Sequence, residues 1–236
     1  MSVDIARINS LRKKISNCTI SEDYHVTKEF VKEWKEKYCW PLHSTPEESK
    51  ERIEELEKRM KDVREKINDE KQGIGKEVKD VLLRIVKWKT SGRFGTAELF
   101  DENEANRILE AVREVLRLLE RNKDDVSECI KRFHKLKGVG IAVASTFLRF
   151  LDPNHRYGII DKHVAKLLNS EGVTTFDLRK GDDYITFSNY NINQYQRYHE
   201  WLQQESQRTN FSPVDIEMAL FAYMTRKGST TEKSSC

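Results

Sequence analysis

Apolar residues recur along this chain every three or four positions, in one stretch after another, with charged residues filling the gaps. That period is the signature of helices with one buried face. Ile5, Ile8, Leu11 and Ile15 form a weak first stripe, and Phe30, Val31 and Trp34 share a face within a segment from about Thr27 to Tyr38. The stripe Ile53, Leu56, Met60, Val63 and Ile67 is clearer. Ahead of it, Thr45 can cap, Pro46 suits the first turn and Glu48 completes a capping box. Val78, Val81, Leu82, Ile85 and Val86 predict a helix from Glu77 into "KWKTSGRFG", with "QGIGK" as the break before it. Further helices are predicted over about 102–121, 124–135 and 192–207, and Ser212, Pro213 and Asp215 open a last one. The segment after Gly172 reads as a polar loop, "YITF" at Tyr184 to Phe187 is its short strand candidate, and "GSTTEKSSC" reads as a disordered tail. The pattern predicts an all-α fold.

Composition narrows the setting more than the chemistry. The chain has 236 residues, enough for one large domain or two small lobes with a real core. Charged residues make up 34% and the net charge is +3, so any nucleic-acid role depends on where the cations sit. No run approaches the ~20 apolar residues of a membrane helix. The start, "MSVDIARINSLRKK", lacks the apolar core of a signal peptide, so an intracellular protein is expected. Cys18, Cys39, Cys129 and Cys236 are too scattered for a metal knuckle or redox pair and are read as reduced thiols. Asp182 and Asp183 read as a turn rather than a metal site. Lys76 is followed by Glu77, which breaks the Walker pattern that "QGIGK" faintly suggests.

Candidate chemistry begins at "KLKGVGIAVASTFL". Ile130, Phe133 and Leu136 give the apolar face of one helix, and Val143, Ala144, Phe147, Leu148 and Leu151 that of the next. Between them Gly138 and Gly140 permit a tight turn, and Val139 is expected to point inward. Such a turn presents unpaired N–H groups at the positive end of the second helix, an anion site suited to one backbone phosphate. Lys135 and Lys137 add charge beside it. Asp161 follows 21 positions after Gly140 and opens "DKHVAKLL", where it can serve as an N-cap.

Glycine hairpin and spaced aspartate together resemble the helix-hairpin-helix DNA glycosylases, the superfamily that includes endonuclease III and the adenine mismatch glycosylases. The matching positions are Gly138, Val139, Gly140, Ala144, Asp161, His163 and Val164, and the resemblance is strongest over Lys131 to Leu168. It implies a two-lobed helical fold with residues 1–75 as an added N-terminal section, 76–228 as the core and 229–236 as tail. It implies a repair enzyme that flips a damaged or mismatched base from double-stranded DNA and breaks its N-glycosidic bond. Asp161 would be the catalytic carboxylate, stabilising positive charge on the sugar and orienting a water. A cytoplasmic, nucleoid-associated or a nuclear location and a monomeric state go with that reading.

Two departures matter. Bifunctional members carry a lysine two residues after the second hairpin glycine, where this chain has Ala142, so a monofunctional enzyme is expected. Members with an iron–sulfur cluster use four cysteines after the catalytic helix; here only Cys236 lies there, so no metal or other cofactor is expected. Trp88 is a candidate to stack on a base or plug the vacated gap, or else to close a hydrophobic cluster. Lys89, Arg93, Lys162 and His163 are candidate DNA contacts, with a buried, hydrogen-bonded role open for His163. Two other readings stay in view: a non-catalytic DNA-binding module in which Asp161 only caps, and a glycosylase/lyase that uses a lysine elsewhere.

Overall fold

The computed structural model describes residues 25–40, 44–67, 73–90, 105–121, 125–171 and 191–230. The described residues are helical throughout, with no strand among them. The helices are α1 (Lys28–Lys35), α2 (Pro46–Lys66), α3 (Ile74–Thr90), α4 (Ala105–Glu120), α5 (Val126–His134), α6 (Ile141–Leu151), α7 (Lys162–Ser170), α8 (Ile192–Thr209) and α9 (Pro213–Thr230). The all-α expectation therefore holds. Arg93, the Ile5–Ile15 stripe, "YITF" and the polar loop after Gly172 lie outside the described residues.

The starts of these helices follow local chemistry. Thr45 and Glu48 form the full capping box of α2. Asn191 and Gln194 form another at α8. Ser212 and Asp215 exchange hydrogen bonds at the start of α9. Two boundaries differ from the pattern. Helix α3 begins at Ile74 rather than Glu77, because the break sits at Gly73 alone, with φ +103°. Gly75 lies inside that helix, where a Cβ would come within 3.2 Å of the Ala105 carbonyl at the head of α4. Helix α9 runs to Thr230, past Gly228, since a single glycine costs a helix only about 1 kcal/mol.

One continuous core joins all nine described helices. Helix α6 is buried on nearly every side, with α2, α3 and α5 packed around it. Helix α9 is covered by α1, α7 and α8. Phe30 and Trp34 each meet Tyr223 edge to face at the α1–α9 contact, and Tyr38 and Trp40 both pack on Phe221 of α9. The stretch from Asp152 to Asp161 turns at residues 153–154 and then runs without regular structure to Asp161, and α8 holds it in place. Tyr195 donates its hydroxyl to the Gly158 carbonyl at 2.9 Å, and Tyr198 donates to Ile159 at 3.3 Å. These tyrosines are core residues, and they fix the approach to Asp161.

Candidate active site

Helices α5 and α6 are joined by the Gly138–Gly140 turn. Gly138 takes φ +78°, a left-handed conformation that suits glycine. Val139 is buried, its amide donates to the Leu136 carbonyl at 3.1 Å, and its own carbonyl accepts from His134 Nδ1 at 2.8 Å. Gly140 is the N-cap of α6 and offers no side chain to the first turn, so the amides of Ile141, Ala142 and Val143 keep the unpaired character of a helix start. Lys135, Lys137 and Gly138 are exposed beside them. Ala142 is fully buried.

Asp161 stands close to this turn. The preceding residue, Ile160, donates its amide to the Ser145 hydroxyl at 3.3 Å, so the chain crosses the second turn of α6 just before α7 begins. Asp161 is the N-cap of α7: its Oδ1 accepts from the His163 amide at 2.9 Å. Its Oδ2 accepts from Lys89 Nζ at 3.0 Å. Asp161 is 3% exposed and Lys89 8%. Burial pulls the Asp161 carboxyl upward, but the Lys89 charge and the His163 amide outweigh it and hold it below the usual carboxylate range.

Lys89 is placed from two sides. Its Nζ lies 5.8 Å from the centre of the Trp40 ring, within reach of a cation–π contact. The Trp40 indole donates to the Trp88 carbonyl at 2.7 Å, one of the carbonyls left without a helical partner at the end of α3. Trp40 is itself pinned by its amide to Ser49 at 2.8 Å.

The other candidates fall as follows. Trp88 is buried and meets Phe150 edge to face at 5.4 Å, so its ring lies in the core. Its indole nitrogen has no hydrogen-bond partner among the described residues. Lys162 is half-buried at the first position of α7. His163 is half-buried against Phe221, with ring centres 5.9 Å apart, and burial lowers its affinity for a proton despite nearby Asp161.

Glu217, which pattern reading passed over, and Tyr38 also belong to this cluster. Glu217 on α9 is 3% exposed and interacts electrostatically with Asp161, Lys89 and Arg149. Tyr38 is buried near the Asp161 and Glu217 carboxylates, and burial raises its hydroxyl well above the usual range. Arg149 of α6 completes the surroundings and pairs with Glu57 at 2.6 Å. The sequence carries a visible signal for the burial of Lys89 and Glu217. Lys89 continues the apolar stripe Val78, Leu82, Ile85 of α3, and Glu217 sits in the stripe Val214, Leu220, Phe221 of α9. A lone charge in a buried stripe is rare unless it has a task. A cleft at the far end of α6 is rich in arginine, but Arg64, Arg113 and Arg156 there bond backbone carbonyls and Asp152, which gives them a structural role.

The chemistry available is that of a buried, ionised carboxylate beside an amine, at a helix start one α6 turn from the Gly138–Gly140 turn. Residues 64–221 match the model of a family described as "Putative 8-oxoguanine DNA glycosylase OGG-like protein". That is well over half of the chain, and the chain belongs to this OGG-like family. Membership relates it to the DNA glycosylases and implies DNA as its partner. Comparison with curated proteins and with solved structures gave no match. Among the described residues no helix is long and apolar enough to cross a membrane.

Proposed function

We propose that this protein is a base-excision DNA glycosylase that hydrolyses the N-glycosidic bond of a nucleotide flipped from duplex DNA. The fold that goes with this reading is the two-lobed helix-hairpin-helix arrangement, with residues 76–228 as core and 1–75 as the added section. The observation that carries it is Asp161, kept ionised in a buried site by Lys89 and the His163 amide, one α6 turn from the Gly138–Gly140 turn. A phosphate held by the first amides of α6, with Lys135 and Lys137 alongside, anchors the strand. The flipped sugar then faces Asp161, whose negative charge stabilises the cation that forms as the base leaves. Water attacks the sugar carbon and gives its proton to the carboxylate. Ala142 offers no amine at the hairpin, which favours hydrolysis over lyase chemistry. Because Asp161 and Lys89 are both covered, binding has to move the Lys89 side chain or its neighbours aside.

The family description points to 8-oxoguanine as the first substrate to try. Duplexes carrying 8-oxoguanine opposite each base, uracil, and thymine–guanine mismatches are incubated with the protein and then treated with alkali. Strand breaks that disappear in Asp161→Asn, with DNA affinity kept, support the enzyme. DNA binding with no base released from any duplex leaves the non-catalytic module.

One observation favours a second reading. Lys89 Nζ, 3.0 Å from the carboxylate, is an amine in the place where one would serve as nucleophile. Once deprotonated it would attack the sugar carbon, expel the base and form a Schiff base that cuts the strand by elimination. Borohydride traps such an adduct. A trapped complex with wild type and none with Lys89→Gln assigns the lyase to Lys89; no trapped complex leaves water as the attacker.

A further inference from the structure

Four carboxylic acids are buried among the described residues: Asp152, Asp161, Glu205 and Glu217. Three of them are held by cations and donors. Asp152 takes the Arg156 guanidinium and amide. Glu205 takes Arg208, His25 and the Val26 amide. Asp161 takes Lys89 and the His163 amide. Glu217 has no hydrogen bond or ion pair with any described residue. Its oxygens are not among the fully sealed polar atoms that lack a partner, so the carboxyl keeps a narrow opening to solvent; a carboxyl so nearly covered and without a cation calls for an explanation.

Its position supplies one. Glu217 and Phe221 lie one turn apart on α9, and Phe221 meets the His163 ring at the first turn of α7. Gly158, three residues before Asp161, backs directly on Glu217: a Cβ there would stand 3.2 Å from the Glu217 Cβ. The charged or titratable groups around Glu217 are Lys89 of α3, Asp161 ahead of α7, Arg149 of α6, Tyr38 after α1 and Tyr195 of α8. The two acids are thus in one cluster with opposite surroundings. Asp161 has a cation and an amide to keep it ionised. Around Glu217, burial comes first, then the Asp161 charge adds to it, and the carboxyl is pushed up to about 8 against the pull of Lys89 and Arg149. Paired acids whose environments separate them in this way mark an acid and a base.

We propose that Glu217 is the acid that protonates the departing base. This rests on the glycosylase reading above. The bond between the sugar carbon and the base nitrogen breaks, and its electron pair goes to the base. The Glu217 proton neutralises that charge on a ring nitrogen or exocyclic oxygen. Glu217 is left as a carboxylate and regains a proton from solvent after the base departs. Asp161 meanwhile faces the sugar cation, so each acid serves one end of the breaking bond.

The test is single-turnover base release by the full chain from the 8-oxoguanine and uracil duplexes, across pH. With the wild type the rate falls as pH rises through about 8. Glu217→Gln is expected to slow release by roughly 10²–10⁴-fold, to lose that alkaline limb, and to keep DNA affinity and a cooperative thermal unfolding transition. Release by Glu217→Gln at the wild-type rate with the same limb overturns the proposal, and so does a wild-type rate that stays flat through that range. In both cases base release lost in Asp161→Asn leaves the glycosylase reading standing. No release by wild type from any duplex overturns both.

Discussion

The indole nitrogen of Trp40 donates to the backbone carbonyl of Trp88 at 2.7 Å, which ties a residue ahead of α2 to the end of α3 next to Lys89. The same ring lies under the Lys89 ammonium and packs edge to face on Phe221. Trp40→Phe keeps most of the aromatic packing and removes the donor. A buried-side carbonyl without its partner costs about 1–3 kcal/mol. Denaturant unfolding should show that loss, and base release should slow because Lys89 is no longer held over the ring.

Lys89 and Asp161 form a buried pair, and removing one member strands the other. Lys89→Met should destabilise the protein by about 3–5 kcal/mol. Adding Asp161→Asn should return a good part of that stability, since the unpaired charge is gone. A double mutant no more stable than Lys89→Met would show that the two side chains are not coupled.

Gly138 holds φ +78° in the α5–α6 turn. Gly138→Ala puts a Cβ into that conformation at a cost of about 1–3 kcal/mol and should disturb the first α6 amides, which the proposed function assigns to a phosphate. DNA affinity should fall for every sequence alike. Lys135→Ala tests the neighbouring charge more gently: the slope of log affinity against log salt should drop by about one.

The buried acids give opposite pH effects. Glu217 holds its proton more tightly folded than unfolded, so the folded state binds more protons between the ordinary glutamate range and about 8. Stability contributed there falls as pH rises. Glu217→Gln removes this dependence, and its melting temperature should exceed that of wild type at the alkaline end. Glu57 behaves conversely. Burial pulls its carboxyl up, but His155 and Arg149 bring it down to about 2, so its stabilising pair is present above the ordinary glutamate range and lost as pH falls toward about 2. Thermal melts of wild type and Glu217→Gln from acid to mildly alkaline buffer separate the two.

Local chemistry made most of the fold readable. Thr45 with Glu48 and Ser212 with Asp215 mark helix starts through bonds that span three residues, and Val139 between two glycines announces its own burial. The site was half readable. Asp161 is found by its distance from Gly140 along the chain, whereas its partner Lys89 lies 72 residues away on another helix. No periodicity joins those positions; the packing of α3 on α6 does, together with the Ile160–Ser145 bond that sets the chain ahead of α7 against α6. Trp88 could be read as stacking on a base or as closing a hydrophobic cluster, and the second holds, because a helix turns successive residues to different sides. Trp88 goes to Phe150 and Lys89 to Asp161.

Helix α1 lies on α9, and the residues that follow it bring Tyr38 and Trp40 against Phe221. The stretch that matches the family model starts later, at residue 64. A chain trimmed to that start would strip the aromatic roof from the carboxylate–amine couple and admit bulk solvent. Water would then screen the field between Lys89 and Asp161, so the leading residues act as insulation for that pair.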